Sequence, residues 1–159
     1  MINSKILLAV GGLIIGIAIT SLVAYKSAPG MMLIEAESKY NFEESVAKFN
    51  QTVLDMGWKI PVIHDMRETM YKNGFSVNSM KVFELCHPGH AYQILQLDDE
   101  RIVSSMMPCR VSIYEKSDGK TYISWMNTAM LGNMMGGVIA EVMGQASADS
   151  ERMIGAIRK

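Results

Sequence analysis

The sequence predicts an α+β domain carried on one transmembrane helix, and three patterns predict it. Residues 6–25 are uncharged and almost wholly apolar. Residues 81–86, 110–115 and 120–126 read as strands, the last two joined by the turn Lys116-Ser117-Asp118-Gly119. Residues 41–56 and 127–157 carry helical periodicity.

At 159 residues the chain is long enough for one domain with a real core. The expected organisation is an anchor over 1–26, a linker over 27–31 and an α+β domain over 32–159. A balance of 15 basic against 16 acidic residues leaves no positive field for nucleic acid, so nucleic acid is excluded as a partner. Fifteen methionines suit adaptable core and helix packing, and their thioethers also suit Cu(I) or haem iron. Two cysteines are too few for a disulfide framework. They allow one disulfide, a pair of thiols or half a metal site.

Taken in order, residues 6–25 would extend about 30 Å as a helix, the thickness of a bilayer's hydrocarbon core. Lys5 and Lys26 bracket the stretch, and Tyr25 sits where an interfacial aromatic belongs. A cleaved signal peptide is the rival reading, but Leu22 is a poor residue two positions before Ala24, where cleavage would fall. The expectation is a single-pass anchor in the cell membrane with the domain on the extracytoplasmic side. Lys5 and the amino terminus favour that orientation, and Lys26 and Lys39 oppose it. Gly12 and Gly16, four apart, would admit a second helix.

Pro29-Gly30 marks the linker turn, and residues 31–40 read as a first strand. Asn41 is a good N-cap, Glu43 and Glu44 favour the first turn, and Phe42, Val46, Phe49, Val53 and Met56 form one stripe. Gly57 stops this helix. Residues 58–66 form a strand that Pro61 confines to an edge, and 67–72 form one or two helical turns before Asn73-Gly74. His87-Pro88-Gly89-His90 turns the 81–86 strand into a helix ending near Leu97. The tail over 127–157 reads as one long helix that Ser147 and Asp149 interrupt. Gly132, Gly136, Ala140, Gly144 and Ala148 recur every fourth residue along it, a groove for close approach of a sheet or a partner.

The chemistry-bearing residues gather around the two cysteines. Cys86 precedes a helix N-terminus, where amide groups and the dipole favour a thiolate. Cys109 opens a strand behind Pro108. If the two strands are neighbours, the thiols meet as a disulfide or share a soft metal, with His87, His90 and Met107 as further ligands. The alternative is two buried apolar cysteines and two capping histidines. Haem or copper would suit such donors, and a site without any cofactor suits the sequence equally. Asp98-Asp99-Glu100 reads as a solvated turn, and no nucleophile elbow or phosphate cradle is present in the sequence.

Gly57-Trp58, the turn Leu85-Cys86-His87-Pro88, the helix at Ala91, and Met107-Pro108-Cys109-Arg110-Val111 with Tyr114-Glu115 together resemble domain-of-unknown-function family 302. That family usually shows a Cys-Asn-Pro turn and a Leu-Pro-Cys-Asn-Val strand closing on Tyr-Glu. Here His87 replaces Asn and Met107 replaces Leu, and Met126-Asn127 stands where Asp-Pro is usual. The resemblance covers about residues 40–126 and reaches toward the C-terminal helix. It implies a TATA-binding-protein-like α+β fold, a curved antiparallel sheet with helices packed on one face, often as a homodimer. It implies no reaction. The expected function is a membrane-anchored, non-catalytic accessory subunit, partnered by the bilayer and by a second copy or other membrane subunits. The alternative is a redox, haem or soft-metal and sulfur-binding protein using Cys86 and Cys109.

Overall fold

The computed structural model describes residues 4–159. The first three residues of the expected anchor lie outside the described residues. The chain divides into two units, one reaching to Met32 and one over Leu33–Lys159.

The first unit is helix α1, Ser4–Met32. Its part over Ser4–Ala28 is long and apolar enough to cross a membrane. Residues 27–31, expected as a linker turning at Pro29-Gly30, are helical. Proline's φ is already that of a helix, so this one costs a hydrogen bond without ending the element.

The second unit runs β1 (Leu33–Glu37), α2 (Phe42–Asp55), β2 (Ile63–Asp65), α3 (Met66–Lys72), β3 (Met80–Leu85) and α4 (Pro88–Leu95). A 3₁₀ helix over Glu100–Met106 follows, then β4 (Cys109–Glu115), β5 (Thr121–Met126), α5 (Thr128–Met135) and α6 (Gly137–Gly155). The five strands form one open sheet in the order β1-β5-β4-β3-β2, every pair antiparallel. The α+β expectation holds.

Alternation along the strands decides where the core sits. Phe83, Leu85, Val111, Ile113, Ile123 and Trp125 point to one face and are buried. Phe49 and Val53 of α2 and Met153, Ile154 and Ile157 from the C-terminal region pack on that face. The Phe49 and Phe83 rings meet edge to face at 5.1 Å, and burying a side chain of this size contributes about 1.5–3 kcal/mol. The other face carries Val82, Ser112, Tyr114, Tyr122 and Ser124, all half-buried.

Helix α2 forms as its sequence dictates. The Asn41 side chain accepts the Glu44 N–H at 3.0 Å, and Gly57, at φ 79°, takes the left-handed conformation just past the end. Pro61 stands outside the ladder, so the expected 58–66 strand shrinks to three residues at the sheet edge.

The tail corrects the sequence reading. It is two helices, broken at Gly136 and Gly137 with φ of 75° and 55°, a pair of values that side-chain-bearing residues rarely adopt. Ser147 and Asp149, expected to interrupt it, lie inside α6. Gly132, Gly136, Ala140, Gly144 and Ala148 therefore do not line one groove. Gly132 is buried where α5 meets α6, and Gly136 is the break itself.

The end of the chain returns to its first strand. Lys39 N–H donates to Ile157 O at 3.0 Å, Lys159 N–H donates to Glu37 O at 3.0 Å, and Ser38 and Arg158 form a bridge.

Candidate functional site: a cavity walled by thiols, imidazoles and thioethers

The site starts where β3 ends. Cys86 exchanges two backbone hydrogen bonds with Lys59, at 2.8 and 2.9 Å, and this bridge fixes the chain beyond Leu85. His87 then caps α4, its Nδ1 accepting the His90 N–H at 3.2 Å. Pro88 takes the first helical position, where a missing N–H costs nothing. A Cβ on Gly89 would stand 3.2 Å from the His87 ring, so glycine lets that ring fold back over the turn.

Across the ladder Leu85 pairs with Cys109, so both cysteines stand at the same end of neighbouring strands. Met107 precedes the cis Met107–Pro108 peptide that leads into β4. Both thiols are free and half-buried. Burial, and secondarily the nearby Cys86, push the Cys109 thiol above its ordinary value. That favours the neutral S–H and works against both metal ligation and nucleophilic attack at this sulfur.

These elements line a half-open cavity of about 440 Å³. All five residues singled out from the sequence, Cys86, His87, His90, Met107 and Cys109, line it. Met106, Met126 and Met143 add thioethers, and Leu85, Ile94, Val103 and Val142 add aliphatic wall. Among the described residues no three His, Cys, Asp or Glu side chains converge as metal ligands. A metal held by three such groups therefore does not fit these walls.

Two site residues escaped the sequence reading. Trp58, 3% exposed, packs against the His87 and His90 rings at 5.4 and 5.8 Å, and the two imidazoles lie 4.2 Å apart. Its indole Nε1–H donates to Asp149 Oδ2 at 3.1 Å. The same oxygen lies 3.5 Å from His90 Nε2, and Arg152 donates to Oδ1. Burial raises the Asp149 carboxyl, but the hydrogen bonds from Trp58, Arg152 and His90 outweigh it and hold the group below the usual carboxylate range. Asp149 falls between Val142, Ala146 and Met153 on the buried stripe of α6, and a carboxylate on such a stripe is the signal that marked it.

The other candidates lie elsewhere. Gly12 and Gly16 sit on α1 beside a shallow groove with Leu13, Ile17, Thr20 and Ser21. Gly144 and Ala148 are on α6 away from the cavity walls. Asp98 pairs with Arg101 at 2.9 Å in the open.

Fold and site define a small α+β domain with helices on one face of an open sheet and a soft-walled cavity at one end. The chain belongs to the family described as Domain of unknown function DUF302, whose model matches residues 34–159. The match extends past the expected 40–126 to include both C-terminal helices. A solved relative is similar in fold, the crystal structure of an uncharacterized conserved protein DUF302 from Bacillus stearothermophilus. It shares 18% identity with a TM-score of 0.71, over 80% of this chain and 99% of that one. No curated protein matches this chain.

Proposed function

We propose that this chain is a membrane-anchored, non-catalytic accessory module that holds a small, mainly apolar ligand in the cavity between β3, β4, α4 and α6. The observation that supports it is the cavity itself: about 440 Å³, walled by aliphatic, thioether and thiol groups with few polar atoms. A concave apolar site with a few convergent polar groups is the usual form of a ligand pocket. The anchor is α1, with the domain on the extracytoplasmic side, and pairing through Gly12 and Gly16 brings two copies together. The shallow groove over these glycines supports that pairing.

The test is native mass spectrometry of the full chain released from its own membrane in mild detergent, with metal analysis of the same sample. The expected result is a bound small molecule on the wild type and none on Ala91→Phe, which fills the cavity from α4. Wild-type protein that carries no ligand and takes up no apolar probe overturns the reading. Gly12→Leu with Gly16→Leu is expected to convert a dimer to a monomer, and an unchanged oligomer overturns the pairing.

A further inference from the structure

We propose that the ligand is a single-chain amphiphile with a carboxylate head, of the fatty-acid class, its chain in the cavity already described and its head at Arg110. The proposal rests on the cavity-binding reading and specifies its chemistry. A second cavity, of about 330 Å³, adjoins the first, and Met106, Met107, Pro108, Cys109, Met126 and Thr128 line both. Each volume falls within the range of small-molecule sites, about 300–1,000 Å³.

The two cavities differ in character. The first lies on the side of the sheet that the helices cover, with Ile94 of α4 and Val142 of α6 in its wall. The second reaches the uncovered face, where Ser112 and Ser124 stand opposite each other across β4 and β5, and Val82 stands opposite Ser112 on β3. Arg110, two residues before Ser112, shares that face. It is the one charged residue among those lining the second cavity. An occupant of both must pass the start of β4 at Cys109 and the end of β5 at Met126, from one side of the sheet to the other. A flexible chain makes that turn and a rigid ring system does not. Methionine side chains, flexible themselves, conform to such a chain.

Arg110 selects the head group. Its Nη2 donates to Glu84 Oε1 at 3.0 Å. A guanidinium stays charged and carries five N–H donors in a planar fork, so it takes a second carboxylate beside the first. The Arg110 side chain is 64% exposed, and a head group reaches it without displacing packed residues. A cationic head would meet a like charge there.

The probes are laurate, labelled with carbon-13 at its carboxyl, and methyl laurate, which keeps the chain and removes the charge. They are titrated into the full chain in lipid nanodiscs, with empty nanodiscs as the reference for partitioning into the bilayer. We expect saturable binding of laurate at one per chain, roughly tenfold tighter than the ester, as a hydrogen bond to a charged group provides. Arg110→Gln is expected to abolish that preference while both probes still bind. On the wild type, the carboxyl resonance of bound laurate is expected to titrate at lower pH than that of laurate in empty nanodiscs, a readout that does not depend on a variant folding. Equal binding of the two probes, an unchanged preference in Arg110→Gln, or a bound carboxyl that titrates no lower than in the bilayer overturns the carboxylate assignment and leaves the cavity reading standing. Binding of neither probe overturns both.

Discussion

Replacing Gly132 with alanine tests how the two C-terminal helices are held. A Cβ at this position would stand 2.8 Å from Met143 Cβ and 3.3 Å from Ala140 Cα. Non-bonded carbons rest about 3.5–4.0 Å apart, so about 1 Å must be found. Neither neighbour can yield by changing rotamer, since both atoms are fixed by the α6 backbone. Overpacking of this kind costs about 1–3 kcal/mol, and alanine's helix propensity over glycine returns about 1 kcal/mol. The expected net effect is a loss of about 1 kcal/mol. Gly144, in the same four-residue series, meets nothing within 4 Å. Gly144→Ala keeps the propensity gain with no clash and is expected to stabilise by about 1 kcal/mol. Urea unfolding of the full chain in micelles, followed by far-ultraviolet circular dichroism, measures both. If Gly132→Ala proves as stable as Gly144→Ala, the close crossing of α5 and α6 is not what holds the glycine in place.

The remaining expectations concern charge and thiols. Asp149 titrates below its ordinary value, so its stabilisation is present above the unfolded value near 3.9 and is lost as pH falls through the lower folded one. Asp149→Asn should therefore flatten the acid limb of a melting-temperature profile between pH 5 and 2, while costing about 1–3 kcal/mol at neutral pH through its poorer hydrogen bonds. Cys109, pushed up by burial, should react with a thiol reagent at pH 7.5 at least tenfold more slowly in native protein than in urea, and an equal rate would refute its burial. Tyr114, raised to about 12 by burial and by its hydrogen bond to Glu35, should ionise about two pH units above free tyrosine. An ultraviolet pH titration should bring it down in Glu35→Gln. Gly136→Leu places a side chain at φ 75° and should destabilise the domain by about 1–2 kcal/mol, measured by thermal melting.

What the sequence disclosed was local. Asn41, its two glutamates and the stripe from Phe42 to Val53 define α2 without reference to the rest of the chain, and the Lys116–Gly119 turn defines the β4–β5 hairpin in the same way. The Cys86 turn was also legible, because Pro88 after a potential cap is a helix start wherever it occurs. The break at Gly136-Gly137 was written in two adjacent glycines, yet the four-residue spacing of small residues read more strongly as one continuous face. Asp149 looked like a helix breaker because polar residues compete for backbone hydrogen bonds. In the fold that competition is settled by Trp58, 91 residues away, whose indole takes the carboxylate. Contacts of that range depend on strand order, which one chain's periodicity does not contain.

The return of the last residues to β1 bears on the protein's birth. The outer edge of β1 gains its partners only when residues 157–159 have left the ribosome, since Lys39 and Glu37 are tied to Ile157 and Lys159. Helix α1 precedes the domain in the chain and is long and apolar enough to cross a membrane. Until residues 157–159 emerge, that edge of the sheet stays unsealed, and pairings this distant in sequence close slowly. A fusion joined directly after Lys159 would therefore bear on the seam that residues 157–159 close with Glu37 and Lys39.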